Sequence, residues 1–491
     1  MAFIKITHKS KNKATLQSDI FDNIRENFSV EKDSFFGGRK KRFFGAIKPR
    51  EYMITPLGTF DIGLTKDIIK FALSQGIPVS VEIDERVKQI LKPKLVFENK
   101  VALQFDAFEL RPYQKEAVEL AIDQGRGVIV LPTATGKTLT MASLIKTILS
   151  ENSMQGKYIT VLVPDIGLVS QTYDDFIKYG LECKVAKWSG SNEFDPEAKV
   201  IICNQAIIRS ESKIKIANHI AKNTGLLLID EVHTIKKGNK VTKIIDTFDT
   251  NYRFGFTGTL PDDLTDQWCV YGKIGAVITK EEAHEMRSEK YIADVKAKII
   301  VIEHNDAPKF KVNIEEPTKA YNEEILWLAT NEFRNKLIAK LALQLKYNSL
   351  LLVNRLDHGK SLLEAAKALN IDNKEIHFIE GEVEVQDREK VKQLMEEKDN
   401  VICIAMSSIF STGISINNLH YIFFCAGGKS RVRIIQSIGR GSRLHKNKDK
   451  MVLFDIADNT RYSLKHLNKR LQLYKEEKIP YEKTIIKKTS N

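Results

Sequence analysis

The sequence has no stretch approaching the roughly 18 uninterrupted apolar residues of a membrane span. Its start, MAFIKITHKSKNK, has no apolar signal core, so the expected setting is a cytoplasm. Cysteine is scarce: the five residues Cys183, Cys203, Cys269, Cys403 and Cys425 lie far apart, several inside apolar runs such as VIIC and YIFFC. They have no metal-ligand or redox spacing, which points to buried, reduced thiols. There is no low-complexity tract to leave unfolded, and no further cluster of Asp, Glu and His with the look of a nuclease centre. Negative charge is in deficit, 63 acidic against 76 basic residues, for a net charge of +13. That balance suits a polyanionic partner such as nucleic acid, although ribosome-associated and membrane-surface proteins share it.

What is present is a soluble, globular composition, 43% hydrophobic and 28% charged. A chain of 491 residues exceeds one core, and at about 150 residues per domain roughly three domains are expected. Residues 1–98 read as a small α+β domain: TKDIIKFALSQG has helical spacing ending at a glycine, and PVSVEID alternates like a strand. Within it, FFGGRKKRFFGAIKPR sets Phe35, Phe36, Phe43 and Phe44 around Arg39, Lys40, Lys41 and Arg42. Such a segment suits base stacking with phosphate neutralisation, and equally a basic hairpin anchored by its phenylalanines.

Residues 99–288 change register to short apolar strands between helices: GVIVLP, YITVLVP, KVIIC, GLLLID and YRFGFTGT. Continuous β-branched runs of this kind are strands of a parallel sheet covered on both faces. After the polar stretch HNDAPKFKVNIEEPTK the pattern restarts with NSLLLVN, EIHFIEG, NVICIAM, HYIFFCA and MVLFDIA, giving a second domain over 289–462. The fold class expected is two tandem, doubly wound parallel-sheet α/β domains behind the small N-terminal one. Residues 463–491 read as an amphipathic helix followed by a solvated basic tail.

The strand GVIVLP runs into Pro132, Thr133, Ala134, Thr135, Gly136, Lys137 and Thr138, and a helix follows. Backbone N–H groups at a helix start face phosphates, a lysine there reaches the β/γ oxygens, and a threonine hydroxyl holds Mg²⁺, so the expected ligands are ATP and Mg²⁺. Leu131 stands where the strict phosphate-loop pattern has glycine. GLLLID ends in Asp230-Glu231-Val232-His233, carboxylates at the end of a parallel strand. Asp230 suits the metal shell, and Glu231 suits activation of the attacking water. Upstream, Arg111 and Gln114 open a helix, and the Gln114 amide suits an adenine edge. In the second domain, QSIGRGSR supplies Gln436, Arg440 and Arg443, the two arginines sharing one face if the segment is helical and either suited to act as an arginine finger.

In this order, PTATGKT, DEVH, FTGT and QSIGRGSR resemble the motif set of superfamily 2 helicases, over residues from about 108 to 458. The resemblance implies RecA-like folds for both α/β domains. It also implies DNA-backbone contacts at Pro164 and Gln171 of VLVPDIGLVSQ, and contacts to nucleotide and nucleic acid at Ser411, Thr412 and Gly413 of the FSTGIS segment. Thr257 and Thr259 would couple hydrolysis to domain movement. The LRPYQ entry and the small leading domain resemble the phage UvsW-like branch-migration helicases, which implies DNA binding by Arg39, Lys40, Lys41, Arg42 and Phe43. It further implies action on branched or forked DNA, recombination intermediates and RNA–DNA hybrids such as R-loops, in a bacterial host's cytoplasm. An RNA helicase, and an ATP-gated binding protein that moves no strand, are the alternatives.

Overall fold

The computed structural model describes residues 3–487 except 32–34, 37–38, 41–48, 85–107, 150–155, 182, 191, 251, 311–317, 381–384, 408–415, 426–427, 429 and 447. The chain divides into two compact units, Met1–Leu131 with Gly136–Glu281, and Pro132–Thr135 with Glu282–Asn491.

The first unit opens with β1 (Ile4–His8), β2 (Lys13–Ser18), β3 (Ser29–Glu31), β4 (Phe35–Phe36), β5 (Arg39–Lys40), β6 (Arg50–Tyr52), β7 (Thr59–Asp61) and β8 (Val79–Ile83). A mixed sheet in the order β7-β2-β1-β8 packs Ile4, Ile6, Leu16 and Phe60 against Ile24 and the helix Thr65–Ser74. β4 and β5 pair antiparallel, so the basic segment does begin as a hairpin, while Lys41, Arg42, Phe43 and Phe44 lie outside the described residues.

The larger part of this unit is a seven-stranded sheet of β9 (Arg126–Val130), β10 (Tyr158–Val163), β11 (Val185–Trp188), β12 (Val200–Asn204), β13 (Thr224–Asp230), β14 (Tyr252–Thr257) and β15 (Val277–Lys280), ordered β11-β12-β10-β13-β14-β9-β15. All its pairings are parallel. Every residue of β12 and β13 is buried, the result of helices covering both faces. Because the strands run one way, the ends of β9, β10, β13 and β14 meet at one edge, where such sheets place ligands.

The second unit repeats the plan with β16 (Asp294–Glu303), β17 (Ser349–Val353), β18 (Glu375–Ile379), β19 (Val401–Met406), β20 (Tyr421–Phe424), β21 (Lys450–Asp458) and β22 (Tyr481–Lys487), ordered β18-β19-β17-β20-β21-β16-β22 and parallel throughout. Two sequence expectations change here. The C-terminal segment is more than a tail: β22, although mostly exposed, pairs with β16 from Ala297↔Tyr481 to Glu303↔Lys487, and the helix before it, Arg461–Glu476, buries Leu473 and Tyr474. Pairing satisfies the backbone edge that β16 would otherwise present to solvent. The second unit also begins earlier than expected, because the short helix Ala283–Ser288 is held to it by Arg287, whose Nη2 donates to the Glu477 carbonyl. Among the described residues no helix is long and apolar enough to cross a membrane.

Candidate ATP-hydrolysis site

The site grows out of β9. Leu131, buried where glycine was expected, donates its N–H to the Thr257 carbonyl at 2.9 Å and thereby continues the sheet by one residue. The chain then turns: the Thr135 hydroxyl donates to the Pro132 carbonyl at 2.6 Å, and Ala134 and Gly136 take positive φ of 73° and 84°. The helix Lys137–Leu149 follows directly, so Lys137 and Thr138 occupy its first turn. A Cβ at Gly136 would collide with Gln114 Nε2, which explains glycine there.

Gln114 is 2% exposed and held at both ends of its amide. Its Oε1 accepts from the Arg111 N–H at 2.9 Å, satisfying a backbone donor at the helix start, and its Nε2 donates to the Gly136 carbonyl at 3.3 Å. The residue singled out for an adenine edge is thus also a brace beneath the phosphate loop.

Lys137 Nζ lies 2.7 Å from Glu231 Oε1 and 3.8 Å from Asp230 Oδ1. Glu231 sits at φ 52°, ψ 52°, in the left-handed region that a non-glycine residue adopts at a cost. Burial would raise the Glu231 carboxyl, but Lys137 and His233 hold it below the usual carboxylate range. Asp230, with the weaker hold on the lysine, is pushed up to about 6 by burial, which Lys137 opposes and the neighbouring Glu231 charge reinforces.

His233 is the residue that sequence reasoning passed over. Its Nδ1 lies 3.1 Å from Glu231 Oε2 and 3.0 Å from Thr257 Oγ1, and the Thr257 hydroxyl donates to the Thr259 carbonyl at 2.7 Å. The DEVH and FTGT segments are thereby joined by side chains. Gln205, at the end of β12, reaches the same region with Nε2 3.4 Å from Thr234 Oγ1. Pro164 follows β10 at the same sheet edge, and Gln171 lies on the adjoining helix Ile166–Lys178, which Asp165 caps by accepting the Leu168 N–H at 3.1 Å.

In the second unit, Gln436 and Arg440 lie on the helix Arg431–Gly441, while Arg443 follows its cap, Ser442, so the two arginines do not share a helical face. The side chains of Arg39 and Lys40, and all of Ser411, Thr412 and Gly413, lie outside the described residues.

Comparison with known proteins agrees with this layout. The family model for the res subunit of type III restriction enzymes matches residues 107–262, and that for the helicase conserved C-terminal domain matches 334–445. The ATP-dependent DNA helicase uvsW of Enterobacteria phage T4 is 27% identical over 95% of this chain and 95% of its own length. The chain belongs to the superfamily 2 helicases. This helicase is also 27% identical to the DNA 3'-5' translocase XPB2 of Sulfurisphaera tokodaii, over 48% of this chain and 47% of that one. Its fold is similar to that of the ATP-dependent Type ISP restriction-modification enzyme LlaBIII bound to DNA, at a TM-score of 0.57 and 11% identity, covering 87% of this chain and 36% of that one. The two seven-stranded sheets of this helicase are its RecA-like domains.

Proposed function

We propose that this helicase is an ATP-driven motor on branched DNA, shifting strands at forks, junctions and recombination intermediates. The observation that carries the reading is the chain Lys137–Glu231–His233–Thr257, a hydrolytic centre wired directly to the segment that precedes the next helix. The phage relative along the whole chain, named as an ATP-dependent DNA helicase, supports DNA as the polymer.

In this reading, phosphate oxygens of ATP replace Glu231 on the Lys137 ammonium, which frees Glu231 Oε1. A water then attacks the γ-phosphorus, its proton passes to Glu231 Oε1, and the bond to the β-phosphate breaks with ADP leaving. His233 Nδ1 lies 3.1 Å from the other carboxylate oxygen and favours its negative charge. Thr138 and Asp230 fit Mg²⁺, one offering a hydroxyl in the first turn of a helix and the other a carboxylate whose pKa burial raises, so that a cation beside it would favour its charged form. The ion supplies charge neutralisation on the phosphates. Backbone N–H groups of Thr133, Ala134, Thr135 and Gly136 are assigned to the phosphates, with Pro132 shaping the turn and Arg111 and Gln114 framing the base. Gln436, Arg440 and Arg443 are assigned to the charge that develops in the transition state, which makes turnover depend on domain closure.

We assign DNA-backbone contacts to Pro164, Gln171, Ser411 and Thr412, with Gly413 near the nucleotide, and a further grip to the basic hairpin of the N-terminal domain. Branch migration breaks one base pair for each it makes, about 1.4 kcal/mol per step in each direction, so hydrolysis mainly supplies direction. We put this work in a bacterial host's cytoplasm, in keeping with the phage relative and the free state of all five cysteines.

The test is steady-state ATP hydrolysis with no polymer, single-stranded DNA, linear duplex, a four-way junction, an RNA–DNA hybrid and RNA, with Lys137→Ala as the blank. Strongest stimulation by the junction is expected. Preference for RNA would make this an RNA helicase, and stimulation by none of them would leave an ATP-gated binding protein.

A further inference from the structure

The N-terminal α+β domain is seated on the first RecA-like domain around the helix Leu264–Lys273, the helix that follows the FTGT segment, with β9, β14, the helix Lys240–Thr247 and the loop after DEVH joining the contact. Lys273, only 7% exposed, reaches Asp61 of the small domain at 3.0 Å and Asp246 of the large one at 2.7 Å. Burial alone would lower its ammonium, but the two carboxylates hold it above the ordinary lysine value. Arg253, 1% exposed on β14, donates through Nη2 to Asn12 Oδ1 and to the Phe248 carbonyl, and Asn12 Nδ2 returns a bond to the Asp246 carbonyl at 3.0 Å. Arg126 Nη1 donates to the Lys11 carbonyl at 3.3 Å.

Steric fit is as close as the polar fit. A Cβ at Gly63 would collide with the Tyr271 and Gly272 carbonyls, and one at Gly272 would meet Asp61 Cβ at 2.9 Å. Trp268 stacks at a tilt on Phe28, with ring centroids 5.6 Å apart. The loop after the DEVH box joins the same contact: Lys237 Nζ lies 3.2 Å from Glu51 and 2.8 Å from the Tyr52 carbonyl, and its N–H donates to Asp266 Oδ1 at 3.2 Å.

Buried charge pairs and a glycine close approach do not suit a domain that swings on a linker. They suit one that moves with its neighbour. We infer that the N-terminal domain is a fixed arm of the first motor domain, and that Asp61, Asn12, Gly63 and Lys273 are positioning residues that carry the state of Glu231, His233 and Thr257 to the DNA it grips. The inference rests on the branched-DNA reading above. It places the path of coupling in the helix Leu264–Lys273, between the hydrolytic centre and a DNA-binding domain, with no new contact to nucleotide.

Two variants on the small-domain side probe the seat without touching the ATP site, Gly63→Val as a wedge and Asp61→Asn as the milder charge deletion. Spin labels at Leu57→Cys and Lys215→Cys, both exposed, in a Cys183→Ser background report the seat itself. One narrow distance distribution is expected in the parent, broadened by Gly63→Val. Basal ATPase should be unchanged in both variants, which also shows that the large domain is folded, while junction-stimulated turnover should fall on the order of tenfold or more in Gly63→Val. A broad distribution in the parent, or full stimulation with the seat broken, would overturn the inference. Absence of junction stimulation in the parent would instead sink the branched-DNA reading, leaving the distance measurement to judge the fixed arm.

Discussion

Removing the Lys137 ammonium should do two separable things. It is the cation between Glu231 and Asp230, at 2.7 and 3.8 Å, with its side chain 12% exposed and the carboxylates 21% and 12%. Lys137→Met therefore leaves two buried carboxylates facing each other without it. Breaking a buried pair costs about 3–5 kcal/mol, and the residual exposure puts this case near about 3 kcal/mol. For a unit of this size each kcal/mol is worth about 2–4 °C, so the first unit should melt about 6–12 °C lower. Glu231→Gln keeps an oxygen for Lys137 and leaves Asp230 as its charge partner, so its melting should stay within about 2 °C of the parent. Turnover should fall about 10²- to 10⁴-fold in Glu231→Gln from loss of the base, yet ATP should still bind. At a hundred times its Kd, bound ATP adds about 2.7 kcal/mol, which raises the Glu231→Gln melting temperature and not that of Lys137→Met. Calorimetry with and without ATP, beside a coupled hydrolysis assay, reads all of these. Equal melting of Lys137→Met and the parent would refute the ion-pair account, and parental turnover in Glu231→Gln would refute the base.

Other perturbations probe the brace, the relay and a buried histidine. Gly136→Ala places a methyl against Gln114 at φ 84°, so ATP affinity should fall at least about tenfold, measured by titration calorimetry. Thr257→Val removes the hydroxyl facing His233 at 3.0 Å, and should leave basal ATPase within a few fold while abolishing its stimulation by DNA. His358 in the second unit is 2% exposed and lies 3.2 Å from Arg334 Nη1, so its Nε2 serves as an acceptor; burial and that guanidinium lower its pKa to about 3. The neutral ring's stabilisation is complete above the ordinary histidine value and is lost as pH falls from about 6.5 towards 3. Between pH 6 and 4 the stability gap between the parent and His358→Gln should therefore shift by about 1.4 kcal/mol per pH unit against the parent. Urea melts across that range with an unchanged gap would contradict this.

Much of this structure is written in local runs of sequence. β13, with seven consecutive buried residues, and the lysine-bearing helix after β9 announce themselves because burial on both faces demands unbroken apolar text. β16 is harder to read: its first half alternates lysine with apolar residues, DVKAKI, and the second sheet starts there, ahead of the polar stretch that looks like a linker. β22 is mostly exposed along its length and reads as a basic tail, yet it completes the sheet through backbone bonds that side-chain pattern does not encode. In the site, the carboxylates and the lysine were legible from spacing within single segments. His233 was not, because its task depends on Thr257 arriving from a different strand, and the Asp61–Lys273 pair spans 212 residues of chain.

The most direct measurement of the central claim follows a mobile four-way junction by fluorescence as this helicase is added with ATP. ATP-dependent migration in one direction is predicted, absent in Lys137→Ala and Glu231→Gln even though both variants still bind the junction. Migration at the same rate without ATP, or none under conditions where the junction stimulates hydrolysis, would contradict it.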